Sequence, residues 1–321
     1  MPASNLRSDR IWMDGAMVPY DEATVHVLTH SLHYGLAVFE GMRCYKSEDG
    51  RSAIFRAREH IRRLIDSAHI VEMTVPYSQE ELLKACADVV RINKFAECYL
   101  RPLVFFGEGE MGLSARGNKI RVSIAAWPWG AYLGQDSIAK GVRLKTSSFV
   151  RFHHNSMMPA AKVTGHYVNS ILAGYEARRN GYDEALLLNI EGNVAEAAVT
   201  NVFVVNGRTL RTNDEKSSIL MGITRDSILQ LAVAEGFEVE VGTITVEDLL
   251  QADEAFLCGT ACEIVPIAEL DGSRIGRVSQ GSVTEQIRSA FDRAKTGASR
   301  QWNHWLHRVA IEDPLETAVS R

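Results

Sequence analysis

Apolar positions recur along the chain with two spacings, and these predict a mixture of helices and strands. Between residues 58 and 71 they recur every three or four residues, which is the period of a helix with one buried face. Ser78 is predicted to begin another helix, since its side chain can cap the first turn and Glu80 and Glu81 favour that end. Further helices are predicted over residues 167–179, 224–234 and 283–294.

Short runs of β-branched and aromatic residues predict strands, and turn residues separate them. Asp14-Gly15 and Asn206-Gly207 are predicted to form tight hairpin turns, since glycine tolerates the backbone angles that such turns need. After a turn at Glu191-Gly192-Asn193, residues 194–205 are predicted to form one continuous strand. Because strands and helices are mixed without a steady βαβ alternation, the predicted fold class is α+β. The other strands are predicted within residues 10–19 and over residues 53–55, 98–106, 120–127, 142–149, 185–190, 209–211 and 254–257.

The boundary between two predicted domains lies in residues 128–134, where one proline and two glycines interrupt regular structure. We predict an interdomain loop over residues 129–137. The smaller α/β domain is expected to span residues 1–128, and the larger one residues 138–308. Residues 309–321 are polar and are predicted to form a loose tail.

Composition and charge argue against several classes of protein. The 321 residues carry a formal net charge of -5, which argues against a nucleic-acid partner because the phosphate backbone needs a basic surface. No apolar run approaches the roughly 18 residues of a membrane helix, and the N-terminus lacks the apolar core of a signal peptide. Five scattered cysteines do not form a disulfide framework, and Cys258 and Cys262 are interpreted as buried apolar residues rather than metal ligands. A cytoplasmic protein without a metal site is expected.

Lys162 is the first candidate for chemistry, because small and apolar residues flank it in the sequence from Pro159 to Val163. A lysine shielded from water can act as a nucleophile and form a Schiff base with a carbonyl compound. The alternative is a lysine whose stem packs on the surface while its ammonium group reaches water. The flanking residues alone are compatible with both interpretations.

Glu196 lies in a second apolar run, residues 194–199. A buried carboxylate stays ionised only beside a cation, and a protonated pyridine nitrogen would serve as one. Alternatively, the alternation of side chains along a strand places Glu196 on the solvent face. An anion could bind to free backbone N–H groups at the helix start Gly222-Ile223-Thr224-Arg225, where Thr224 could instead act only as an N-cap, and at the turn Gly259-Thr260-Ala261.

Tyr99 and Arg101 are two residues apart in a predicted strand and therefore share one face. A guanidinium group binds carboxylates through two parallel hydrogen bonds, so this pair could hold a substrate carboxylate. The alternative is a structural tyrosine beside a surface arginine.

The segment from Gly107 to Gly112 matches the GxGxxG pattern of dinucleotide-binding proteins, but its context does not. Glu108 and Glu110 would repel a pyrophosphate group. The following residues, 113–119, are predicted to form a loop before a strand, whereas the dinucleotide-binding motif requires a helix there.

Together these segments resemble the fold-type-IV enzymes that use pyridoxal 5′-phosphate (PLP), and specifically the branched-chain amino acid aminotransferases. The resemblance extends from about Ile11 to Val309, and it is specific because so many motifs match in the same order. The matching motifs are Ile11-Trp12-Met13-Asp14-Gly15, His33-Tyr34-Gly35, Phe39-Glu40-Gly41-Met42-Arg43, Tyr99-Leu100-Arg101-Pro102, Trp127-Pro128-Trp129-Gly130-Ala131-Tyr132-Leu133-Gly134, Ala161-Lys162, Asn169-Ser170, the segment 176–182, Gly222-Ile223-Thr224-Arg225-Asp226 and Gly259-Thr260-Ala261.

The resemblance implies two α/β domains with PLP between them and at least a homodimer. Lys162 would bind PLP covalently and carry a proton during the reaction, while Glu196 would pair with the ring nitrogen and Tyr167 with the ring hydroxyl. The implied phosphate ligands are Arg63, Ile223, Thr224 and Thr260. The implied substrate-binding residues are Tyr99, Thr260 and Ala261 for the α-carboxylate, Arg101, Tyr132 and Tyr34 of the partner subunit for the glutamate side chain, and Phe39, Leu113 and Trp129 for an apolar side chain.

The activity that the resemblance implies is transamination of leucine, isoleucine and valine with 2-oxoglutarate, giving branched 2-oxo acids and L-glutamate. One segment departs from the family pattern, since residues 197–200 lack two glycines and a second glutamate, and the added methyl groups could narrow the pocket. The alternatives are therefore a transaminase of the same fold for a D-amino acid, an (R)-amine or another amino acid, a PLP lyase, and a catalytically silent PLP-binding homologue. Arg101 with Tyr99 and Tyr132 favours the first activity, because two different substrates require a site for a second carboxylate.

Overall fold

The structure of the protein is a computed structural model that describes residues 7–114, 116–130, 140–276 and 282–310. Within these residues the α-helices are α1 (His30–Tyr34), α2 (Ala57–Ile70), α3 (Gln79–Ile92), α4 (His154–Met157), α5 (Tyr167–Arg179), α6 (Ile223–Ala234), α7 (Val246–Leu250) and α8 (Val283–Thr296). The strands are β1 (Arg10–Met13), β2 (Ala16–Pro19), β3 (Ala37–Phe39), β4 (Met42–Lys46), β5 (Ser52–Phe55), β6 (Cys98–Phe106), β7 (Ile120–Trp127), β8 (Val142–Thr146), β9 (Glu184–Leu188), β10 (Val194–Ala197), β11 (Asn201–Asn206), β12 (Thr209–Thr212), β13 (Glu238–Val241), β14 (Glu254–Gly259), β15 (Glu263–Leu270), β16 (Ser273–Arg274) and β17 (Leu306–Arg308).

The first sheet is antiparallel throughout and has the strand order β17-β5-β4-β6-β7-β1-β2, with β3 paired to β6. Strand β17 comes from the other end of the chain, and its Leu306 lies opposite Phe55 of β5. Helices α2 and α3 pack on one face of this sheet and bury an apolar core that includes Ile61, Leu64 and Leu82.

The two helices on this sheet begin and pack as the sequence predicts. The Ser78 side chain accepts a hydrogen bond from the backbone N of Glu81 at 3.3 Å, and the Glu81 carboxylate accepts one from the backbone N of Ser78 at 2.7 Å. Such reciprocal bonds satisfy two amide groups that the helix itself leaves free. The predicted apolar stripe of α2 is buried at Ile61, Leu64 and Ala68.

The second sheet is mixed, with the strand order β10-β9-β8-β15-β14-β11-β12-β13 and with β16 paired to β15. Strand β8 runs parallel to β9 and β15, and β12 runs parallel to β13, whereas the other pairs are antiparallel. One antiparallel and one mixed sheet, together with helices, confirm the predicted α+β class. The predicted domain boundaries stay a prediction, because residues 131–139 and 311–321, which include most of the predicted loop and tail, lie outside the described residues.

The prediction of one continuous strand over residues 194–205 is wrong, because the chain turns after Ala197. Strand β10 pairs with β9, whereas β11 pairs with β12 and β14, and Ala197 N donates to Thr200 O at 2.9 Å across the turn. The apolar run could not reveal this break, since both strands are buried on both faces. The strand predicted over residues 142–149 is also shorter and ends at Thr146.

All five cysteines are free and buried, including Cys258 and Cys262 as predicted. Among the described residues, no group of His, Cys, Asp and Glu side chains is arranged to hold a metal ion. None of the helices that the structure describes is both long and apolar enough to cross a membrane.

An apolar core joins the two sheets. The ring of Phe55 in β5 lies 5.3 Å from Phe291 of α8 and 5.6 Å from Trp305, with edge-to-face geometry. Phe203 of β11 stacks on Phe256 of β14 with ring centroids 5.0 Å apart and belongs to the same core. Because aromatic side chains bury large areas, this core fixes the position of one sheet relative to the other.

An ion cluster at Glu263 also joins the sheets, beside the turn that carries Thr260. Lys295 Nζ of α8 lies 2.5 Å from one Glu263 oxygen, and Tyr45 Oη of β4 donates to the other at 2.9 Å. The Arg43 guanidinium lies 3.5 Å from the same carboxylate. Burial opposes the ionisation of Glu263, but Lys295 and its other neighbours lower the pKa of the carboxyl group below its usual value.

Replacing Lys295 with methionine is predicted to lower the free energy of unfolding by about 2 kcal/mol, because Glu263 would stay largely buried without its nearest cation. Denaturant titration measures this change. The matched control is Lys84→Met in α3, since Lys84 forms an exposed pair with Asp88 at 2.5 Å and should contribute less than about 1 kcal/mol. Equal losses for the two variants would contradict the stabilising role of the cluster.

Candidate active site

Two hydrogen bonds of its backbone hold Lys162 in place at the edge of the first sheet. Its N–H donates to Ser67 Oγ of α2 at 3.1 Å, and its carbonyl accepts from Phe39 N of β3 at 3.1 Å. The ammonium group donates to Tyr167 Oη at 2.7 Å and lies 5.0 Å from the centre of the Phe39 ring. An amine fixed against two aromatic rings and partly shielded from water agrees with the reactive interpretation of Lys162.

Glu196 is buried in β10 and is not on a solvent face. Its Oε1 lies 2.7 Å from an Arg151 amino group, and its Oε2 accepts from Asn201 Nδ2 and from Leu220 N, each at 3.3 Å. Burial raises the pKa of Glu196, and the Arg151 guanidinium is the largest influence in the opposite direction. The sequence left a buried and a solvent-facing Glu196 open, and it did not indicate Arg151 as the partner.

Arg63 extends from α2 towards the second sheet and is oriented by Glu40. Its Nε and one amino group donate to the two Glu40 oxygens at 2.6 and 3.1 Å, and the other amino group donates to Met221 O at 2.8 Å. Glu40 is fully buried and also lies 2.7 Å from His60 Nδ1. Burial opposes its ionisation, but Arg63 and His60 hold the pKa of Glu40 far below its usual range.

The start of α6 is open to an anion. Gly222 is the N-cap residue, so Thr224 lies inside the helix, and no side chain among the described residues caps the first turn. A side chain at position 222 would collide with Asn201, whose Oδ1 lies 2.1 Å from the position that a Cβ would occupy. Free N–H groups at a helix start attract anions, and Arg63 adds a positive charge through its bond to Met221 O.

The short segment Leu220–Gly222 brings these parts together. Leu220 N donates to Glu196 Oε2, Met221 O accepts from Arg63, and Gly222 is the N-cap residue of α6. The carboxylate, the guanidinium and the helix start therefore converge within three consecutive residues, although they come from separate elements of the fold.

Aromatic rings surround the guanidinium of Arg101 on β6. It lies 4.6 Å from the centre of the Phe39 ring, 5.5 Å from Tyr99 and 5.7 Å from Trp127. Within the part of the chain that the structure describes, Arg101 forms no salt bridge, and its buried Nε has no hydrogen-bond partner. Phe39 thus lies close to two cations, Arg101 and Lys162, and the first of these is available to an anion.

Tyr99 and Trp129 connect this aromatic group to the turn after β14. Their rings are 4.6 Å apart, and Trp129 Nε1 donates to Ala261 O at 3.1 Å. The Tyr99 hydroxyl lies only 1.8 Å from the position that a Cβ at residue 41 would occupy, so Gly41 is required there. The structure therefore brings Tyr99 and Trp129 to the turn with Thr260 and Ala261, while Phe39 lies beside the same arginine as Tyr99. The substrate-binding roles that the resemblance implies for these residues stay a prediction.

Other predicted substrate-binding residues are not brought to this site within one chain. Tyr34 is 45% exposed on α1 and stacks on His30, and Leu113 is 96% exposed on the loop after β6. His30 connects the two, since its Nε2 lies 2.7 Å from Gly112 O. Tyr132 lies outside the described residues. The loop from Gly107 is followed by β7 and not by a helix, which agrees with the rejection of a dinucleotide site.

Sequence reasoning missed Arg151, Glu40 and Asn201 as parts of the site. Arg151 and Glu40 carried one signal, because each is a charged residue within an otherwise apolar or aromatic run. Asn201 carried none, since its bonds to Glu196 and to Leu220 O depend on a turn that the sequence did not predict.

These residues fit the PLP that the resemblance implies. Lys162 offers an amine to the aldehyde, and Tyr167 offers a hydroxyl to the ring. Glu196 offers a buried carboxylate to the ring nitrogen, while Arg63 and the open start of α6 offer a positive site to the phosphate.

The chain is similar to a known protein family and to several of its members. The family Amino-transferase class IV matches residues 37–270 of the chain. A branched-chain-amino-acid aminotransferase from Pseudomonas aeruginosa is 47% identical over 299 residues, which are 92% of this chain and 97% of that protein.

Solved structures are similar as well. The crystal structure of the Escherichia coli branched-chain amino acid aminotransferase matches with a TM-score of 0.92 at 44% identity, over 95% of this chain and 100% of that one. The branched-chain aminotransferase from the archaeon Thermoproteus uzoniensis, solved with norvaline, matches with a TM-score of 0.89 at 41% identity and the same coverage. The chain therefore belongs to the class IV aminotransferases.

Proposed function

We propose that the protein is a PLP-dependent transaminase that converts leucine, isoleucine and valine with 2-oxoglutarate into branched 2-oxo acids and L-glutamate. The observation that carries this proposal is the guanidinium of Arg101, which lies among aromatic rings and forms no salt bridge with any described residue. A pocket with this lining can accept an aliphatic side chain through its rings and a second carboxylate through its cation. The relatives named above, which are branched-chain aminotransferases, support the same substrates.

The residues of this chain have separate tasks in the proposed reaction. When bound, PLP supplies the electron sink that allows a proton to leave the amino acid Cα. Lys162 Nζ holds the cofactor and then carries that proton, and Tyr167 Oη keeps the amine in position through its 2.7 Å bond. Glu196 binds the ring nitrogen. Tyr99 with the backbone at Thr260 and Ala261 holds the α-carboxylate.

The phosphate of the cofactor is assigned to the positive region at the start of α6. Arg63 supplies the charge, and backbone or side-chain groups of Ile223, Thr224 and Thr260 supply the remaining contacts. The support for this assignment is the bond from Arg63 to Met221 O, which brings the guanidinium to the uncapped helix start.

The proposed assembly is a homodimer or a higher oligomer. Tyr34 and Leu113 are exposed on one chain, and exposed apolar residues such as Val27 and Leu32 adjoin Tyr34 in the sequence. Covering these side chains with a second copy would remove apolar surface from water and would bring Tyr34 of the partner subunit to the substrate. A cytoplasmic location is supported by the five free, buried cysteines, which are typical of a reducing compartment.

A transaminase for another amine or amino acid is the second candidate, because of the turn between β10 and β11. Thr200 Cγ2 and Val199 O lie 3.3 and 3.5 Å from the position of a Cβ at Gly259, next to Thr260. The turn therefore contacts the segment that would hold the α-carboxylate. Preference for a D-amino acid or an (R)-amine over leucine, with 2-oxoglutarate as acceptor, would favour this candidate.

The proposed function is tested by Arg101→Met, which removes the charge but keeps an apolar side chain. The KM for 2-oxoglutarate and for glutamate should rise by roughly 30- to 100-fold, because their second carboxylate would lose its cation. The KM for leucine should change less than about threefold. Steady-state kinetics of both half-reactions measure these values.

The control for this experiment is Arg121→Met on β7. Arg121 also lies near an aromatic ring, Phe105, but it pairs with Asp14 at 2.7 Å and has no assigned role at the site. It should leave the ratio of the two KM values unchanged. Equal losses for leucine and glutamate in Arg101→Met would argue against a second carboxylate site.

Mixing two inactive variants tests the role of Tyr34 of the partner subunit. Tyr34→Ala and Lys162→Ala should each have little activity, but random reassociation should restore about a quarter of the wild-type rate. Half of the dimers would then be mixed, and each mixed dimer would contain one site with both native residues. Activity after unfolding and refolding the mixture measures the recovery.

A second mixture controls for non-specific rescue. Lys162 and Glu196 belong to the same site of one chain, so Lys162→Ala mixed with Glu196→Gln should regain nothing. If the first mixture also stays inactive although mixed dimers form, Tyr34 acts within its own chain or not at all.

Glu40→Gln is predicted to weaken PLP binding by roughly 10- to 100-fold. The amide cannot accept from Arg63 through both of its ends, so the guanidinium would lose its orientation towards the phosphate. Titration of the apoenzyme with PLP, followed by absorbance, measures the affinity. Glu59→Gln, which alters the nearby and more exposed pair with Arg56, is the control and should bind PLP normally. Unchanged PLP affinity in a folded Glu40→Gln variant would show that Arg63 does not depend on Glu40.

A further inference from the structure

We propose that Arg151 is a positioning residue that keeps Glu196 ionised and leaves one of its lone pairs free for the ring nitrogen of PLP. The proposal deepens the function proposed above and rests on it. In this role, Arg151 keeps the ring nitrogen of the cofactor protonated. The reaction needs this proton because only a protonated ring withdraws electrons strongly.

Arg151 is anchored independently of Glu196. Its backbone N donates to Leu188 O of β9 at 2.8 Å, and one amino group donates to Ser170 Oγ of α5 at 3.2 Å. Its guanidinium also lies 4.2 Å from the centre of the Phe152 ring. Arg151 is only 7% exposed, so its charge is fixed in place before any cofactor binds.

The hydrogen bonds at Glu196 leave room for one further donor. A carboxylate has about four acceptor positions, two on each oxygen. Oε2 accepts from Asn201 Nδ2 and Leu220 N, and Oε1 accepts from Arg151. The fourth position, on Oε1, has no donor among the described residues and remains for the N–H of a protonated ring. Because Arg151 occupies the other position on Oε1, it also restricts the direction of that bond.

The charge of Arg151 decides which partner holds the shared proton. A carboxylate beside a guanidinium is a weaker base, so the proton stays on the ring nitrogen. The other charged groups described near the pair are Lys162, which acts on Glu196 in the same sense, and His166, which lies near Arg151. Burial and Arg151 lower the pKa of His166 to about 4, so this imidazole is neutral at physiological pH and does not add a competing cation.

Without Arg151, the effect of burial would be less opposed, and the pKa of Glu196 would rise further. The proton would then move from the ring nitrogen to the carboxylate, and both groups would become neutral. The bond between them would persist, so PLP could still bind while its electron-withdrawing capacity falls. Protonation of the ring and affinity for the cofactor are therefore separable.

The test is ¹⁵N NMR of the holoenzyme loaded with PLP labelled at the ring nitrogen, followed between pH 6 and pH 9. The wild type should keep the chemical shift of a protonated ring over this range. Arg151→Gln should move towards the shift of a neutral ring, and Arg151→Lys should stay near the wild type because it keeps the charge. Arg151→Met is prepared in parallel, so that a folding failure of one neutral variant leaves the other to decide.

Kinetics give a second readout. The kcat of Arg151→Gln should fall by roughly 10- to 100-fold, while the KM for leucine changes less than about threefold. The lysine variant should recover much of the rate. A merely structural role would change KM, PLP affinity and thermal stability together and would leave the ring protonated.

The variant Glu196→Gln distinguishes a failure of the role proposed for Arg151 from a failure of the assignment of Glu196 to the ring nitrogen. If its ring nitrogen becomes neutral while the ring of both neutral Arg151 variants stays protonated, the role of Arg151 is overturned and that of Glu196 stands. If the ring stays protonated in Glu196→Gln as well, the assignment of Glu196 to the ring nitrogen fails, and with it part of the proposed function.

Discussion

The pairing of buried carboxylates with cations is the constraint on which the site depends. An isolated buried charge costs several kcal/mol, so each carboxylate fixes the position of its partner as well as being stabilised by it. Such pairs are formed by Glu40 with Arg63, Glu196 with Arg151 and Glu263 with Lys295. Arg101 differs, because its charge has no ionic partner among the described residues and is available for a substrate anion.

These pairs also connect the two sheets. Arg63 of α2 pairs with Glu40 and also donates directly to Met221 O, which lies in the other half of the fold. Lys295 of α8 pairs with Glu263 of the second sheet, and Tyr45 of the first sheet donates to the same carboxylate. The apolar core around Phe55 contains buried side chains from both sheets, whereas the ion pairs fix the direction of individual side chains. At the site, likewise, Phe39 supplies an apolar surface, while other residues orient the two cations beside it, Arg101 and Lys162.

Local structure could be predicted from the sequence because its signals are local. The period of α2, the cap at Ser78 and the turn at Asn206-Gly207 depend on residues within a few positions of one another. The break after Ala197 could not be predicted in this way. It depends on which strands pair on each side, and the apolar residues there look alike in one buried strand or in two.

The candidate site shows the same distinction. Lys162, Glu196 and the start of α6 could be identified because their own neighbours in the sequence are unusual. Arg151 and Glu40 could not be assigned, since their roles come from partners on other elements of the fold. For Tyr34 and Leu113 a single chain gives exposure only, and their predicted role depends on a second copy.

The position of β17 has a consequence for the order in which the chain folds. This strand pairs with β5 through Leu306 and Phe55, which are roughly 250 residues apart, so the N-terminal sheet gains its edge strand only after nearly the whole chain has been synthesised. Until then, β5 presents an unpaired edge, and the ring of Phe55 lacks Trp305. Exposed strand edges promote association between incomplete chains. A ribosome-bound chain that ends before Leu306 therefore carries an open strand edge that can pair with another chain, and the emergence of β17 closes it.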